Sequence, residues 1–170
     1  MRALISLLVV LASTSCALTS QAPPAPPSAR AAGYEPLSSF IGRWTLKGEE
    51  DTYVETCGWY EGGFHILCHT ENRRPDGSIG KGMSILGYLP DKGSYTYHGI
   101  GSKGRNETMI GTFRSGIFEF NSEDRENGKV VKARVRMGPF IGREIPFIAE
   151  TSIDGAPWLM DATITYVKLD

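Results

Sequence analysis

The chain has 170 residues, of which 41% are hydrophobic and 22% are charged, and its formal net charge is -1. This length predicts a single domain. The near-neutral charge excludes the strongly basic field that non-specific binding to nucleic acid requires. We therefore expect an ordinary globular monomer without a nucleic-acid partner.

Residues 1–17 have the pattern of an export signal. The charged start Met-Arg precedes an apolar run at residues 3–12 and the small segment S-T-S-C-A. The run is shorter than the about 20 residues needed to span a bilayer, so a signal peptide is favoured over a membrane helix. We expect a protein that is exported in a bacterium, either periplasmic or anchored in the envelope.

Cys16 has two interpretations, and the sequence leaves both open. The segment S-T-S-C resembles a bacterial lipoprotein signal, although Ser13 stands where a Leu-like residue is usual. In that case Cys16 is acylated and its lipids are the protein's only membrane contact. Alternatively, cleavage after Ala17 removes Cys16 with the signal.

Residues 18–35 are rich in Pro and Ala and predict a disordered linker, either a tether or a tolerated floppy terminus. The folded domain is expected at 36–170, beginning with a short helical turn within Y-E-P-L-S-S-F-I. Beyond it, short alternating segments separated by turn residues predict about ten strands. These strands are expected at 42–48, 51–60, 64–71, 80–89, 93–101, 107–114, 116–123, 128–137, 144–153 and 158–168.

Consecutive strands with short turns predict an all-β fold. The connections leave no room for crossover helices or long Greek-key links, so a single antiparallel up-and-down β-barrel is favoured over a sandwich. A barrel of about ten strands is wide enough to hold a small ligand.

The first predicted strand resembles that of lipocalins and their calycin relatives. It reads F-I-G-R-W-T-L-K-G and contains Gly42 and Trp44 in a G-x-W motif. The resemblance implies that Trp44 closes one end of the barrel. Lipocalins usually stack an Arg from the last strand on this Trp, where the present chain offers Lys168.

A longer pattern resembles exported members of the bacterial domain of unknown function family 1579. It comprises E-T-C-G-W-Y-E-G-G-F-H-I-L-C, then I-L-G-Y-L-P-D-K-G-S-Y-T-Y-H-G-I-G-S, then I-G-T-F. Leu89 stands where the family usually has Asp. The resemblance covers about residues 38–168 and implies a calycin-like barrel without any assigned catalytic residue. Haem barrels of the nitrobindin type also begin with G-x-W, but they bind iron through a late His, and the last His here is His98.

Residues 55–71 contain two Cys and two His and raise three alternatives: a metal site, a redox pair or a disulfide. A two-residue Gly62-Gly63 turn places Cys57 opposite Cys68 in a hydrogen-bonded pair, with Cα atoms about 5.5 Å apart. That separation suits a disulfide. The same register places His65 and His69 on the other face, so tetrahedral zinc is not expected. The Cys lie in mid-strand rather than at a helix start, so a redox role is not expected either.

We expect a non-enzymatic protein without metal or cofactor that binds a small apolar or amphipathic ligand. The sequence has no G-x-S-x-G, H-E-x-x-H or P-loop motif, although carboxylates on strands leave acid–base chemistry open. The alternative is an envelope-tethered structural or protein-interaction domain with a filled barrel. The residues predicted to line a ligand site are Tyr53, Trp59, Phe64, Ile66, Phe118, Phe120, Val131, Val135 and Met137.

Overall fold

The computed structural model describes residues 32–104 and 106–169. Within them, a short 3-10 helix is followed by strands only. The N-terminal helix is Ala32–Phe40, and the strands are β1 Gly42–Leu46, β2 Tyr53–Trp59, β3 His65–Arg73, β4 Ile79–Leu89, β5 Ser94–Gly101, β6 Asn106–Arg114, β7 Ile117–Glu126, β8 Lys129–Met137, β9 Glu144–Ile153 and β10 Leu159–Lys168.

The strands form one closed barrel in which each strand pairs antiparallel with its neighbours in sequence and β1 pairs with β10. The predicted fold class is confirmed, and each predicted strand bound lies within three residues of the observed one. The predicted linker boundary at residue 36 falls inside the N-terminal helix. The predicted signal, Cys16 and most of the linker lie outside the described residues. No helix in the described part of the chain is long and apolar enough to cross a membrane.

The N-terminal helix seals one end of the barrel. Tyr34, Leu37 and Phe40 are buried and spaced by three residues, so the three-residue turn of a 3-10 helix places them on one face. The Trp44 indole N–H donates to the Phe40 carbonyl oxygen over 2.8 Å. At the other end of the helix, the Tyr95 hydroxyl donates to the Gly33 carbonyl oxygen over 2.8 Å. Two barrel side chains therefore hold the helix across the opening.

A cluster of aromatic rings fills the barrel beneath the helix. Phe118 is at its centre and has no exposed surface. Its ring centroid lies 5.0 Å from that of Phe40, 5.0 Å from that of Tyr95 and 4.5 Å from that of Phe113. This end of the barrel is consequently a packed core rather than a ligand space.

Trp44 lies at the same end of the barrel as the helix. Its side chain is buried, and its backbone pairs directly with Lys168 of β10. The Lys168 ammonium lies 5.4 Å from the centroid of the Trp44 ring, within the range of a cation–π contact. A basic residue of the last strand therefore lies over the Trp44 ring.

The β2–β3 hairpin has the predicted register but a longer turn. Cys57 pairs with Cys68 and is bonded to it in a disulfide. The Tyr60 N–H donates to the His65 carbonyl oxygen, so the turn is closed at this pair and Phe64 lies within the turn. Cys57 is an odd number of positions from Tyr60, which puts its pair in the non-hydrogen-bonded class. The Cα separation of 4.0 Å agrees, and the predicted hydrogen-bonded class was wrong.

Phe118→Ala is expected to lower the free energy of unfolding by about 3–5 kcal/mol, because it leaves a cavity in a fully buried ring cluster. Phe64→Ala is the matched control. Phe64 is 47% exposed, so its loss should cost about 1 kcal/mol or less. Denaturant unfolding with the disulfide intact measures both; equal losses would contradict the proposed position of the core.

Protein lacking residues 1–17 should contain no reactive thiol when it is denatured without reductant, since Cys57 and Cys68 are bonded to each other. After reduction, a thiol reagent should react with both Cys57 and Cys68. Reactive thiols before reduction would show that the disulfide does not form.

Candidate functional site

The barrel interior contains two adjoining chambers that open toward the end opposite the helix. The outer one, the mouth chamber, has a volume of about 570 Å³. The deeper one, the inner chamber, has a volume of about 80 Å³ and lies next to the aromatic core. The walls of both chambers include Glu55, Ser84, Tyr97, Phe147 and Tyr166, so the chambers meet at these residues.

The mouth chamber is open because small residues face inward on several strands. Gly80 and Gly82 on β4 and Gly99 and Gly101 on β5 contribute to its wall, and Gly82 pairs directly with Gly101. Ala149 and Ala162 pair with each other on the β9–β10 side. At Gly80 and Gly99 a side chain would meet the Arg74 guanidinium and the Tyr97 ring, so these glycines leave room for both groups in the chamber wall.

The predicted ligand-site residues are divided between the chambers and the core. Phe120, Val135 and Met137 line the inner chamber, and Tyr53 lines the mouth chamber. Trp59, Ile66 and Phe118 pack in the hydrophobic core instead. Val131 pairs with Ile153 and lines neither chamber. Phe64 is exposed in the β2–β3 turn, where its ring contacts Tyr34.

Phe64 was expected on the inward face because the predicted turn contained Gly62 and Gly63 alone. The observed turn also includes Phe64, which removes it from the alternation of β3. Trp59, Ile66 and Phe118 do face inward, but the N-terminal helix and its aromatic partners occupy the space beside them. The alternation of residues along a strand predicts which side chains face inward. It does not predict how deep in the barrel a cavity begins.

A carboxyl group with few partners lies where the two chambers meet. Glu55 faces inward on β2 and is half-buried. The Tyr53 hydroxyl donates to one of its oxygens over 3.5 Å, and the Thr70 hydroxyl donates to the other over 3.4 Å. Both distances exceed the usual 2.5–3.0 Å of an O–H···O bond. The two bonds therefore satisfy the carboxylate weakly.

Tyr166 extends this polar group across the barrel. Its ring centroid lies 6.1 Å from that of Tyr53, whose hydroxyl donates to Glu55. Tyr53 and Tyr166 thus place two phenol groups beside the carboxylate.

The surroundings of Glu55, Tyr53 and Tyr166 favour the uncharged form of each side chain. Burial raises the pKa of Glu55 to about 7, and the Thr70 and Tyr53 hydrogen bonds only partly oppose this. Burial also raises the pKa of Tyr53 and of Tyr166, and the Glu55 charge raises both further. Among the described residues, no Lys, Arg or His lines the inner chamber. Near neutral pH, Glu55 is therefore a carboxyl group that readily gains or loses its proton.

The disulfide borders the inner chamber and does not form a metal site. Cys57 and Cys68 have their sulfurs within reach of a Glu55 oxygen, but a disulfide offers no thiolate ligand. His65 and His69 are exposed on the outer face of β3, whereas both Cys are buried. The predicted separation of the histidines from the sulfurs is confirmed.

The outer wall carries the basic side chains of β8, and these are largely paired. Lys132 forms an ion pair with Glu123. Arg134 and Arg136 both bind Glu150 of β9, at 2.9 and 3.0 Å. Such pairing leaves little free positive charge for an anionic partner.

Apolar side chains are exposed on the β9–β10 hairpin at the open end of the barrel. The Arg134 guanidinium covers the Trp158 ring at 4.4 Å. Leu159 and Met160 are 66% and 65% exposed.

Several chamber residues were not predicted from the sequence, although one signal was available. Glu55 alternates with Tyr53 and Cys57, so the same register that placed those residues inward places a carboxylate on an otherwise apolar face. Glu107 of β6 also lines the inner chamber. Tyr97 and Tyr166 gave no comparable signal, because an inward Tyr is common in a packed core.

Comparison with known protein families finds no match. Comparison with curated proteins finds no significant relative. The resemblance to the bacterial domain of unknown function family remains a prediction.

Glu55→Gln is expected to stabilise the protein increasingly as the pH rises from about 5 to about 8. The pKa of Glu55 is raised from 4.5 to about 7 in the folded state, so the unfolded chain releases this proton first and the wild-type loses stability as the pH rises between these values, whereas Gln does not ionise. The difference should reach roughly 1–3 kcal/mol, reduced from the full linkage value because the chamber admits water.

Urea unfolding of both proteins at the two pH values measures this difference. Glu71→Gln is the matched control, since Glu71 is exposed on β3 and pairs only with Lys81. It should change stability by less than about 1 kcal/mol at either pH. A pH-independent effect of Glu55→Gln would contradict the burial argument.

Proposed function

We propose that this chain is an exported, non-enzymatic barrel protein that binds a small apolar or amphipathic ligand in its interior. The observation that carries the proposal is the mouth chamber of about 570 Å³. This volume is typical of small-molecule sites, about 300–1,000 Å³. It is also continuous with a deeper apolar chamber.

The chemistry of the walls supports an amphipathic ligand. Most of the inner chamber is apolar, with Phe40, Trp44, Leu86, Met109 and Ile145 among its walls. A few polar groups, chiefly Glu55, converge where the chambers meet. Apolar walls with few convergent polar groups are characteristic of ligand sites, where the polar groups fix orientation.

Export is supported by two independent features. The N-terminal pattern is that of a signal, and the disulfide between Cys57 and Cys68 suits an oxidising compartment. Periplasmic and envelope-anchored forms differ only in the fate of Cys16, which intact mass measurement of the mature protein distinguishes.

A role as a protein-interaction domain is the second candidate. A filled barrel would suit this role, whereas two chambers occupy the interior. The observation in its favour is the exposed apolar pair Leu159 and Met160 on the β9–β10 hairpin. Exposed apolar surface at one site is typical of contact regions, although isolated side chains are also common.

Ala149→Trp should abolish or strongly weaken binding of a neutral apolar dye such as N-phenyl-1-naphthylamine. Ala149 lines the mouth chamber, so an indole at this position occupies the space that the dye would use. The measurement is the rise of dye fluorescence on titration with protein.

Ile148→Trp is the control, because Ile148 neighbours Ala149 on the same strand and points to the opposite face. It should leave dye binding within about twofold of the wild-type. Failure of the wild-type to bind any apolar dye would argue against the proposed function. Equal loss in both variants would show that the dye binds elsewhere.

A further inference from the structure

We propose that the interior selects ligands carrying a protonated amine, with the ammonium group paired to Glu55 and the apolar body in the chambers. This inference rests on the proposed ligand-binding function and adds the chemical class of the ligand.

The first observation is the incomplete hydrogen bonding of Glu55. An ionised carboxylate offers about four acceptor positions, and side chains of the described residues use two of them, at 3.5 and 3.4 Å. Both donors are neutral hydroxyl groups. A partly buried carboxylate with weak partners is costly unless a donor or a cation reaches it. The side of Glu55 that faces the chambers is where such a group can bind.

The second observation is the sign of the charge inside the barrel. Glu55 lies in the wall of the inner chamber, and no Lys, Arg or His of the described residues lines that wall. An anionic head group would meet repulsion at this depth, and a neutral one would gain no charge pairing. A cation offsets the negative charge in surroundings where such interactions are strengthened.

The third observation is the aromatic content of the same walls. Tyr97 and Tyr166 line both chambers, Tyr53 lines the mouth chamber and Trp44 lines the inner one. The rings of Tyr53 and Tyr166 lie 6.1 Å apart next to the carboxylate. Faces of Tyr and Trp attract cations, and their edges pack against apolar groups. Both parts of an amphipathic amine therefore find suitable surfaces.

The basic groups of the mouth chamber lie at its rim. Arg74, Lys81 and Lys103 line the mouth chamber near the turns. The Arg74 guanidinium donates to the Ser78 hydroxyl over 3.1 Å, and Lys81 pairs with Glu71 over 3.3 Å. A ligand with its amine inward leaves its other end near these cations, which disfavours a second positive charge there.

Binding of an ammonium group requires ionised Glu55, so binding should release a proton below neutral pH. The titratable groups around the carboxylate are Tyr53, Tyr97, Tyr166 and Glu107 from the barrel wall and Arg74, Lys81 and Lys103 at the rim. Burial raises the pKa of Tyr53 and of Tyr166, so both hydroxyls stay neutral over about pH 5–8 and the ionisation of Glu55 sets the dependence. The affinity for an amine should fall as the pH decreases below 7.

Three ligands with one chain length test the proposal: n-octylamine, 1-octanol and octanoate. Their affinities are measured at pH 7.5 by displacement of the neutral dye and by calorimetry. We expect octylamine to bind about tenfold or more tightly than octanol, and octanoate to bind most weakly. Lowering the pH to about 5.5 should weaken octylamine binding by about tenfold and change octanol binding little.

The variant Glu55→Gln tests whether Glu55 is the residue that pairs with the ammonium group. In this variant the affinity for octylamine should fall to that for octanol, and its pH dependence should disappear. Glu71→Gln, on the rim outside the chambers, should keep the preference for the amine. Urea unfolding of both variants shows whether they are folded, so that a loss of preference is not attributed to unfolding.

The outcomes separate this inference from the proposed function. Equal binding of the three ligands, tighter binding of octanoate, or an amine preference that survives Glu55→Gln would overturn the inference while a ligand-binding function stands. Absence of binding of all three ligands and of the dye to the folded wild-type would overturn both.

Discussion

The seal made by the N-terminal helix is the constraint on which the other features of this barrel depend. A closed sheet has two open ends, and this chain fills one of them with Tyr34, Leu37 and Phe40. Hydrogen bonds from Trp44 and Tyr95 hold the helix backbone in place, so its carbonyl groups are satisfied inside a core. Because that end is packed, the interior opens at the other end. The lining of the interior therefore changes from apolar near the helix to polar near the mouth.

The inward side chains of the strands differ between the two ends of the barrel. Toward the helix, inward positions carry Phe118, Phe120 and Leu86, which pack to the density of a core. Toward the mouth, inward positions on β4 and β5 carry glycine, and those on β9 and β10 carry alanine. The same alternation of inward and outward residues therefore accompanies a solid core at one end, which the helix completes, and an open chamber at the other.

Glu55 lies at the boundary between these regions. Its burial favours the protonated form and opposes folding at neutral pH, so it is not a residue that a purely structural barrel needs. Destabilising groups of this kind are often found where a protein binds its ligand. The neighbouring disulfide between Cys57 and Cys68 fixes the same stretch of β2 against β3 and thereby limits where the carboxylate can move.

The sequence by itself determined the number of strands, their order and the pairing of Cys57 with Cys68, because alternation and turn residues are local signals. The alternation of residues in β2 also places Glu55 on the inward face, together with Tyr53 and Cys57. Only the tertiary structure decided which inward residues line a chamber and which are core, since that depends on how far the helix fills the barrel. It likewise decided that Tyr166, from the last strand, reaches Tyr53 near the first, because barrel closure brings together residues that no local pattern relates.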